Sequence, residues 1–166
     1  MVLFFVMILT VLMIAVMITD FTRFTIPNKL VLVILAVYPA LLLVEMRPEW
    51  YYDLAIGLGM FLLGFALFSL KLMGGGDVKL LAVCAVFVGK DAFLNFFIGV
   101  ALWGGALALA LLAAREIVPY IYMKLGKQPD SIPRVFTAGQ DAPYGLAIAA
   151  SFLGLLWWGQ IAGLKI

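Results

Sequence analysis

Apolar residues along the chain gather into six stretches separated by short polar breaks. The first covers about 2–19 and closes on Asp20. A polar turn follows, Thr22-Arg23-Phe24-Thr25-Ile26-Pro27-Asn28-Lys29, and Pro27 stops any helix that runs into it. The second stretch covers about 30–44. The polar segment 45–53 carries Trp50, Tyr51 and Tyr52, the residue types of an interfacial aromatic belt. The third stretch covers about 54–73. The fourth, 78–88, is short and ends at Gly89-Lys90-Asp91. The fifth covers about 92–114, with helical pattern continuing to 123. Residues 124–142 form the longest polar stretch, with Pro129, Pro133 and Gly139, and the sixth apolar stretch covers about 143–162. Several of these approach or exceed the roughly 20 residues that cross a bilayer. The pattern predicts an all-α polytopic membrane protein with six transmembrane helices, organised as one membrane-embedded domain over 1–166.

Composition narrows the chemistry. Hydrophobic residues make up 66% of the chain, against roughly 45–50% in soluble domains. The net charge of +2 is small and no basic run is long, so no nucleic-acid partner is expected. Histidine is absent and Cys84 is the only cysteine. That excludes an internal disulfide, a zinc site of Cys/His type and any Ser-His or Cys-His nucleophile pair. No metal and no cofactor are expected, and a catalytic site must use carboxylates, Lys, Ser/Thr or Tyr. The N-terminal stretch has no basic flank and no small-residue cleavage site, so it reads as a retained span.

Basic residues set the expected orientation. The breaks after stretches one, three and five hold Arg23, Lys29, Lys71, Lys79, Arg115, Lys124, Lys127 and Arg134; the opposite side holds Arg47, Lys90 and Lys165. The excess predicts that the first set is cytoplasmic and both termini are periplasmic, in an inner-membrane, multi-pass protein. Glu45, Glu49 and Asp53 then fall on the outer side.

Gly74-Gly75-Gly76-Asp77 is the most unusual segment. Glycines let another backbone come close and are poor helix material, by roughly 1 kcal/mol each against Ala. The pattern predicts a break here, with a new helix starting after Asp77 as its N-cap. If Lys90 marks the outer surface, thirteen residues at about 1.5 Å place Asp77 roughly 20 Å across a roughly 30 Å core. Asp20 falls toward the same cytoplasmic end.

Each feature has a plain structural alternative. Asp20 could be an interfacial acid paired with Arg23 at i+3. The glycine run could be a packing device or hinge, with Asp77 a simple cap. Lys79, two residues on, points away from Asp77 on a helix. Asp141 before Pro143-Tyr144-Gly145 reads as an acid at a helix start. Asp91, Glu116 and Asp130 read as solvated, Cys84 as a buried small apolar residue, and the other glycines as helix-packing positions. Taken together, though, Asp20 and Asp77 are two acids at one end of two spans with no evident basic partner. Adjacent carboxylates in a low-dielectric site do not readily both ionise, so they share a proton. Such a pair can activate water with one carboxylate and protonate a carbonyl oxygen with the other.

Gly74-Gly75-Gly76-Asp77-Val78-Lys79-Leu80-Leu81 resembles the GxGD-V-K-L-L motif of the type IV prepilin peptidases, intramembrane aspartyl proteases. Asp20, followed by Ile26-Pro27-Asn28 after five residues, resembles the family's D-x5-[IL]-P-[DN]. Pro143-Tyr144-Gly145-Leu146-Ala147-Ile148-Ala149 resembles its P-[YF]-G-x-A-[IL]-A segment. The resemblance implies that Asp20 and Asp77 are the catalytic pair. It implies that Gly74 and Gly76 shape the loop presenting Asp77. It also implies that Pro27, Asn28, Lys79 and the turn Pro143, Tyr144, Gly145 shape the site. It implies a pilin-like precursor as the substrate, met within membrane lipid. Larger members carry a cytoplasmic domain, often with paired CxxC motifs, that methylates the product. This chain has one Cys and resembles the short peptidase-only branch of Flp/Tad-type pili, with archaeal preflagellin peptidases as near relatives. The reading from a different class is a non-enzymatic membrane subunit of a secretion or transport assembly, its intramembrane acids binding protons or ions. The precursor's identity and the oligomeric state are not legible in the sequence.

Overall fold

A computed structural model describes residues 1–45, 48–126, 132–137, 142–161 and 164. Asp141, Asp130, Pro129, Gly139, Arg47, Lys127 and Lys165 lie outside the described residues. The protein is all-helical, 83% of it in helix. Its elements are α1 (Val2–Arg23), α2 (Asn28–Val44), α3 (Trp50–Ser69), α4 (Gly75–Lys124) and α5 (Tyr144–Trp157), with a short 3-10 turn at Arg134–Phe136 before α5. By length and composition α1, α3 and α4 can cross a membrane; α2 and α5 are shorter apolar helices.

Five helices replace the six expected because α4 continues for 50 residues through a break in helical geometry at Gly89. At about 1.5 Å per residue a straight helix of that length would reach roughly 75 Å, far beyond a bilayer core. It is not straight. Gly89 takes φ 65° and ψ −173°, a conformation open essentially to glycine alone. The contacts on either side of it run in opposite directions. In the limb 75–88, Val78 meets Gly64 and Val86 meets Gly57 of α3. In the limb 90–124, the Ser151 hydroxyl donates to the Phe96 carbonyl and Gly104 faces Tyr144 of α5. Asp20 of α1 meets Gly145 at the same end of α5, while Trp157 reaches Thr10 at the other. Six apolar segments therefore alternate in direction, and the fourth and fifth are the two limbs of α4. The break expected at Gly89-Lys90-Asp91 is a change of direction at one residue rather than a loop.

Element ends also differ from expectation. Helix α1 runs past Asp20 to Arg23 and stops with Phe24 in the left-handed conformation (φ 52°). Nothing between Asp20 and Arg23 breaks a helix, so the stop comes only where Pro27 forces extended backbone. Helix α4 starts at Gly75 with Gly74 as its N-cap, so Asp77 lies inside the first turn and is not the cap. Gly76 packs there against Ile26, where a Cβ would stand 3.2 Å from the Ile26 Cβ. This packing offsets the poor intrinsic helix propensity of glycine.

The core is centred on the limb 75–88, in which every residue from Leu80 to Val88 is buried. Phe87 is fully buried and meets Tyr38 (5.4 Å, 84°) and Phe152 (6.0 Å, 83°) edge-on. Each such pair contributes about 0.5–1.5 kcal/mol beyond its area. Between apolar helices in lipid this close packing, rather than water exclusion, is what holds segments together. Cys84 is fully buried, as expected. Asp53 is buried, only 8% exposed. The Tyr38 hydroxyl donates to its Oδ2 at 2.7 Å, and it packs under the chain reversal at Gly89. Lys90, just past the reversal, pairs with Glu49.

The reversal makes a testable demand. A Cβ at Gly89 would carry an unfavourable backbone and stand 2.5 Å from Asp53 Oδ1. Gly89→Ala is expected to destabilise the fold by about 1–3 kcal/mol, read as a lowered unfolding midpoint in detergent. An unchanged midpoint would contradict this account of the turn.

Candidate active site

Two acids from different helices meet at the end of the bundle where α1 finishes and α4 and α5 begin. Asp20 lies in the last turn of α1 and is 4% exposed. Asp77 lies in the first turn of α4 and is half-buried. They line one cavity of about 560 Å³ together with Gly74, Pro143, Tyr144, Phe24, Phe68 and the 69–73 segment. That size suits a small ligand or a short stretch of peptide.

Backbone amides converge on both carboxyls. The amides of Gly145 and Leu146, at the start of α5, hydrogen-bond to Asp20. Those of Gly74 and Gly145 hydrogen-bond to Asp77. Gly145 thus serves both acids, and the two carboxyls interact electrostatically with each other. The bond from Gly74 closes the first turn of α4 in the way a third-position acid reaches back to an N-cap amide. The positive ends of two helices, α4 and α5, face the acids from two sides. Asp20 Oδ2 is buried and, among the described residues, receives no hydrogen bond. Such an atom in a folded protein calls for a proton, a water or a functional role.

Glycine is required by contact here. A Cβ on Gly145 would stand 2.7 Å from Asp20 Oδ2 and 2.9 Å from the Ile26 Cδ1; one on Gly74 would stand 2.9 Å from Asp77 Oδ2. Each of these glycines gives up a side chain so that a carboxyl can occupy the space.

Of the residues singled out from sequence, Asp20, Asp77, Gly74, Pro143 and Tyr144 line the cavity. Gly145 touches Asp20, and Gly76 lies one step behind on Ile26. Asn28 and Lys79 do not line this cavity. The Lys79 ammonium donates to Asn28 Oδ1 at 2.9 Å, joining α2 to α4 on a neighbouring face. Pro27 is the N-cap of α2. Lys79 does point away from Asp77, as expected, and the Asp20–Arg23 pairing is not what holds Asp20. Ile26 was quoted only as part of a motif. It is buried and wedges between Gly76 and Gly145, so it sets the spacing of the two helix starts. Lys71 was also missed as a lining residue; it takes a left-handed backbone (φ 59°) at the cavity wall. Among the described residues there is no cluster of three or more metal-ligating side chains.

The family model of the type IV leader peptidases matches residues 7–109, which includes α1 through the first part of the second limb of α4 and therefore both acids. The chain belongs to the type IV leader peptidase family. No curated protein and no solved structure matches it. Membership supports a leader-peptidase role in broad terms, and the apolar helices agree with a membrane-bound member of that family. The matched region stops before α5, so the third constituent of the cavity, the Pro143–Gly145 turn, is joined to the two acids by the geometry alone.

For a leader peptidase built this way, the Gly145 contact should be felt in the rate. Gly145→Ala must displace Asp20, and shifts of about 1 Å can cost roughly a hundredfold. Gly145→Ala is expected to slow cleavage of a pilin-type precursor by about ten- to a hundredfold while the protein still accumulates. Gly105→Ala, where a Cβ meets nothing within 4 Å, is expected to cleave at the parental rate. Equal rates for the two variants would remove the contact from the account.

Proposed function

We propose that this chain is an intramembrane aspartyl endopeptidase that removes the leader of type IV pilin-like precursors at the cytoplasmic side of the inner membrane, with Asp20 and Asp77 as the catalytic pair. The observation that carries the reading is their meeting in one cavity, with the Gly145 amide directed at both.

Hydrolysis follows from two carboxyls that hold one proton between them. The ionised carboxylate takes a proton from water as the water oxygen adds to the scissile carbonyl carbon. The neutral carboxyl gives its proton to the carbonyl oxygen. The tetrahedral diol then collapses: a proton passes to the nitrogen, the C–N bond breaks, and a carboxylic acid and an amine leave. Asp20 Oδ2, with no donor among the described residues, is suited to exchange a proton or hold the water. The amides of Gly74, Gly145 and Leu146 hold the remaining carboxyl oxygens in place, so the pair needs little reorganisation during the reaction. Helical peptide bonds are shielded, so the precursor must be locally extended, and the cavity bounded by the 69–73 segment and the Pro143–Gly145 turn offers room for this.

In the proposed topology six segments cross the membrane, both termini are periplasmic, and the acids face the cytoplasm. Alternating segment direction and the eight-to-three split of basic residues support it. We read the protein as a peptidase without methyl transfer. The longest polar stretch, 124–142, falls well short of the roughly 50 residues of a minimal domain.

Asp20→Asn and Asp77→Asn are each expected to lower precursor cleavage by about a thousandfold or more, with the protein still inserted and folded. Asn is close to Asp in size and still accepts from the backbone amides. Exposed Asp91→Asn is the control and should cleave normally. A near-parental rate for either Asn variant at the pair would return these acids to a proton- or ion-binding role. Orientation is checked separately: Leu125→Cys in a Cys84→Ser chain should resist an impermeant thiol reagent in intact cells, and labelling there would invert the topology.

A further inference from the structure

A second cavity, of about 550 Å³, shares no lining residue with the one holding the acids. It lies on the face of the bundle between α2, α3 and α4, and its walls are apolar side chains such as Leu32, Leu35, Leu58 and Phe61. These remain 36–63% exposed. In a membrane that exposure is to acyl chains. One end of the groove differs: Asn28 and Lys79 close it, the ammonium donating to Asn28 Oδ1 at 2.9 Å.

The chemistry of that end is one-sided. Lysine only donates, so the amide must turn its oxygen to it, leaving both Asn28 N–H donors directed elsewhere. Among the described residues, two N–H groups of Lys79 are also unspent. Among the described residues no carboxylate lies within ion-pair distance of Lys79; Glu49 pairs with Lys90 at the opposite end of the bundle. An exposed cation and up to four donors stand at the head of a narrow apolar channel, at the same end of the bundle as Asp77. Basic positions between helices at the cytoplasmic end of a membrane protein are where anionic lipid headgroups settle.

We propose that this groove is a binding site for one anionic phospholipid, its phosphodiester held by Lys79 and Asn28 and an acyl chain lying along α2 and α3. The volume is that of a small-molecule site. A transmembrane helix about 10 Å across and 30 Å long occupies on the order of 2,000 Å³, several times what the groove offers. The single cation selects a lipid with net negative charge over one whose phosphate is already neutralised by its own ammonium.

The test is native mass spectrometry of the full chain in detergent, with phosphatidylglycerol or phosphatidylcholine of the same acyl chains added. The wild-type protein should retain phosphatidylglycerol about fivefold better, the usual contribution of one basic residue near an anionic surface. Lys79→Gln should bring the two lipids level. Leu58→Trp, at a side chain 60% exposed, should fill the groove and lower retention of both. Equal retention by the wild-type protein, or a preference that survives Lys79→Gln, would overturn the proposal. So would Leu58→Trp slowing precursor cleavage with lipid retention unchanged, which would assign the groove to the substrate's helix.

Discussion

The backbone of Gly145 lies so close to the Asp20 carboxyl that a single methyl group would overlap it. The geometry of the candidate site depends on that approach. It brings the start of α5 against the last turn of α1 and puts the Gly145 amide where both acids can use it. Ile26 fills the space behind, where a Cβ on either Gly76 or Gly145 would meet it. The starts of α4 and α5 are thereby fixed against the end of α1 by one buried side chain and three missing ones. A carboxyl in such a place is costly in an apolar medium unless donors meet it. Here the donors are helix-start amides, which have no partner within their own helices.

The opposite end of the bundle makes this meeting possible. Helix α4 begins beside Asp20 only if the chain reverses once between Asp77 and the limb that packs on α5. Gly89 supplies the reversal, and Asp53, bonded by Tyr38, sits beneath it. A buried acid at each end of the limb 75–88 therefore does different work: one holds a turn, the other belongs to a pair facing a cavity. Burial alone does not separate these roles. The distinction is that Asp53 receives a tyrosine hydroxyl, whereas Asp20 keeps an oxygen that no group among the described residues bonds.

Much of this was legible in the chain. The apolar stretches reappear as five apolar helices, three of them long enough to cross a membrane, because hydropathy in a membrane protein reports directly on what faces lipid. The three motifs single out Asp20, Asp77 and the Pro143–Gly145 turn, and Asp20, Asp77, Pro143 and Tyr144 line one cavity. The start of α4 was misplaced by three residues, since glycine propensities measured in water ignore what Ile26 gains by packing on Gly76. The burial of Asp53 was not foreseen because its partner, Tyr38, lies on another helix, and only the folded chain brings them together. Asn28 and Lys79 belong to the motif segments, yet they bond each other on a neighbouring face. Sequence spacing alone could not distinguish a residue beside the acids from one about half a helical turn away.

Whether Asp20 and Asp77 act as one unit is the central claim, and a double-mutant comparison tests it most directly. Single-turnover cleavage of a pilin-type precursor would be measured for the parent, Asp20→Asn, Asp77→Asn and the two combined. Groups that share one proton lose their function together, so effects within the unit do not multiply. The account predicts that the combined variant is no slower than the slower single variant. Losses that multiply would show two acids acting independently, and would contradict a catalytic pair at the meeting of α1, α4 and α5.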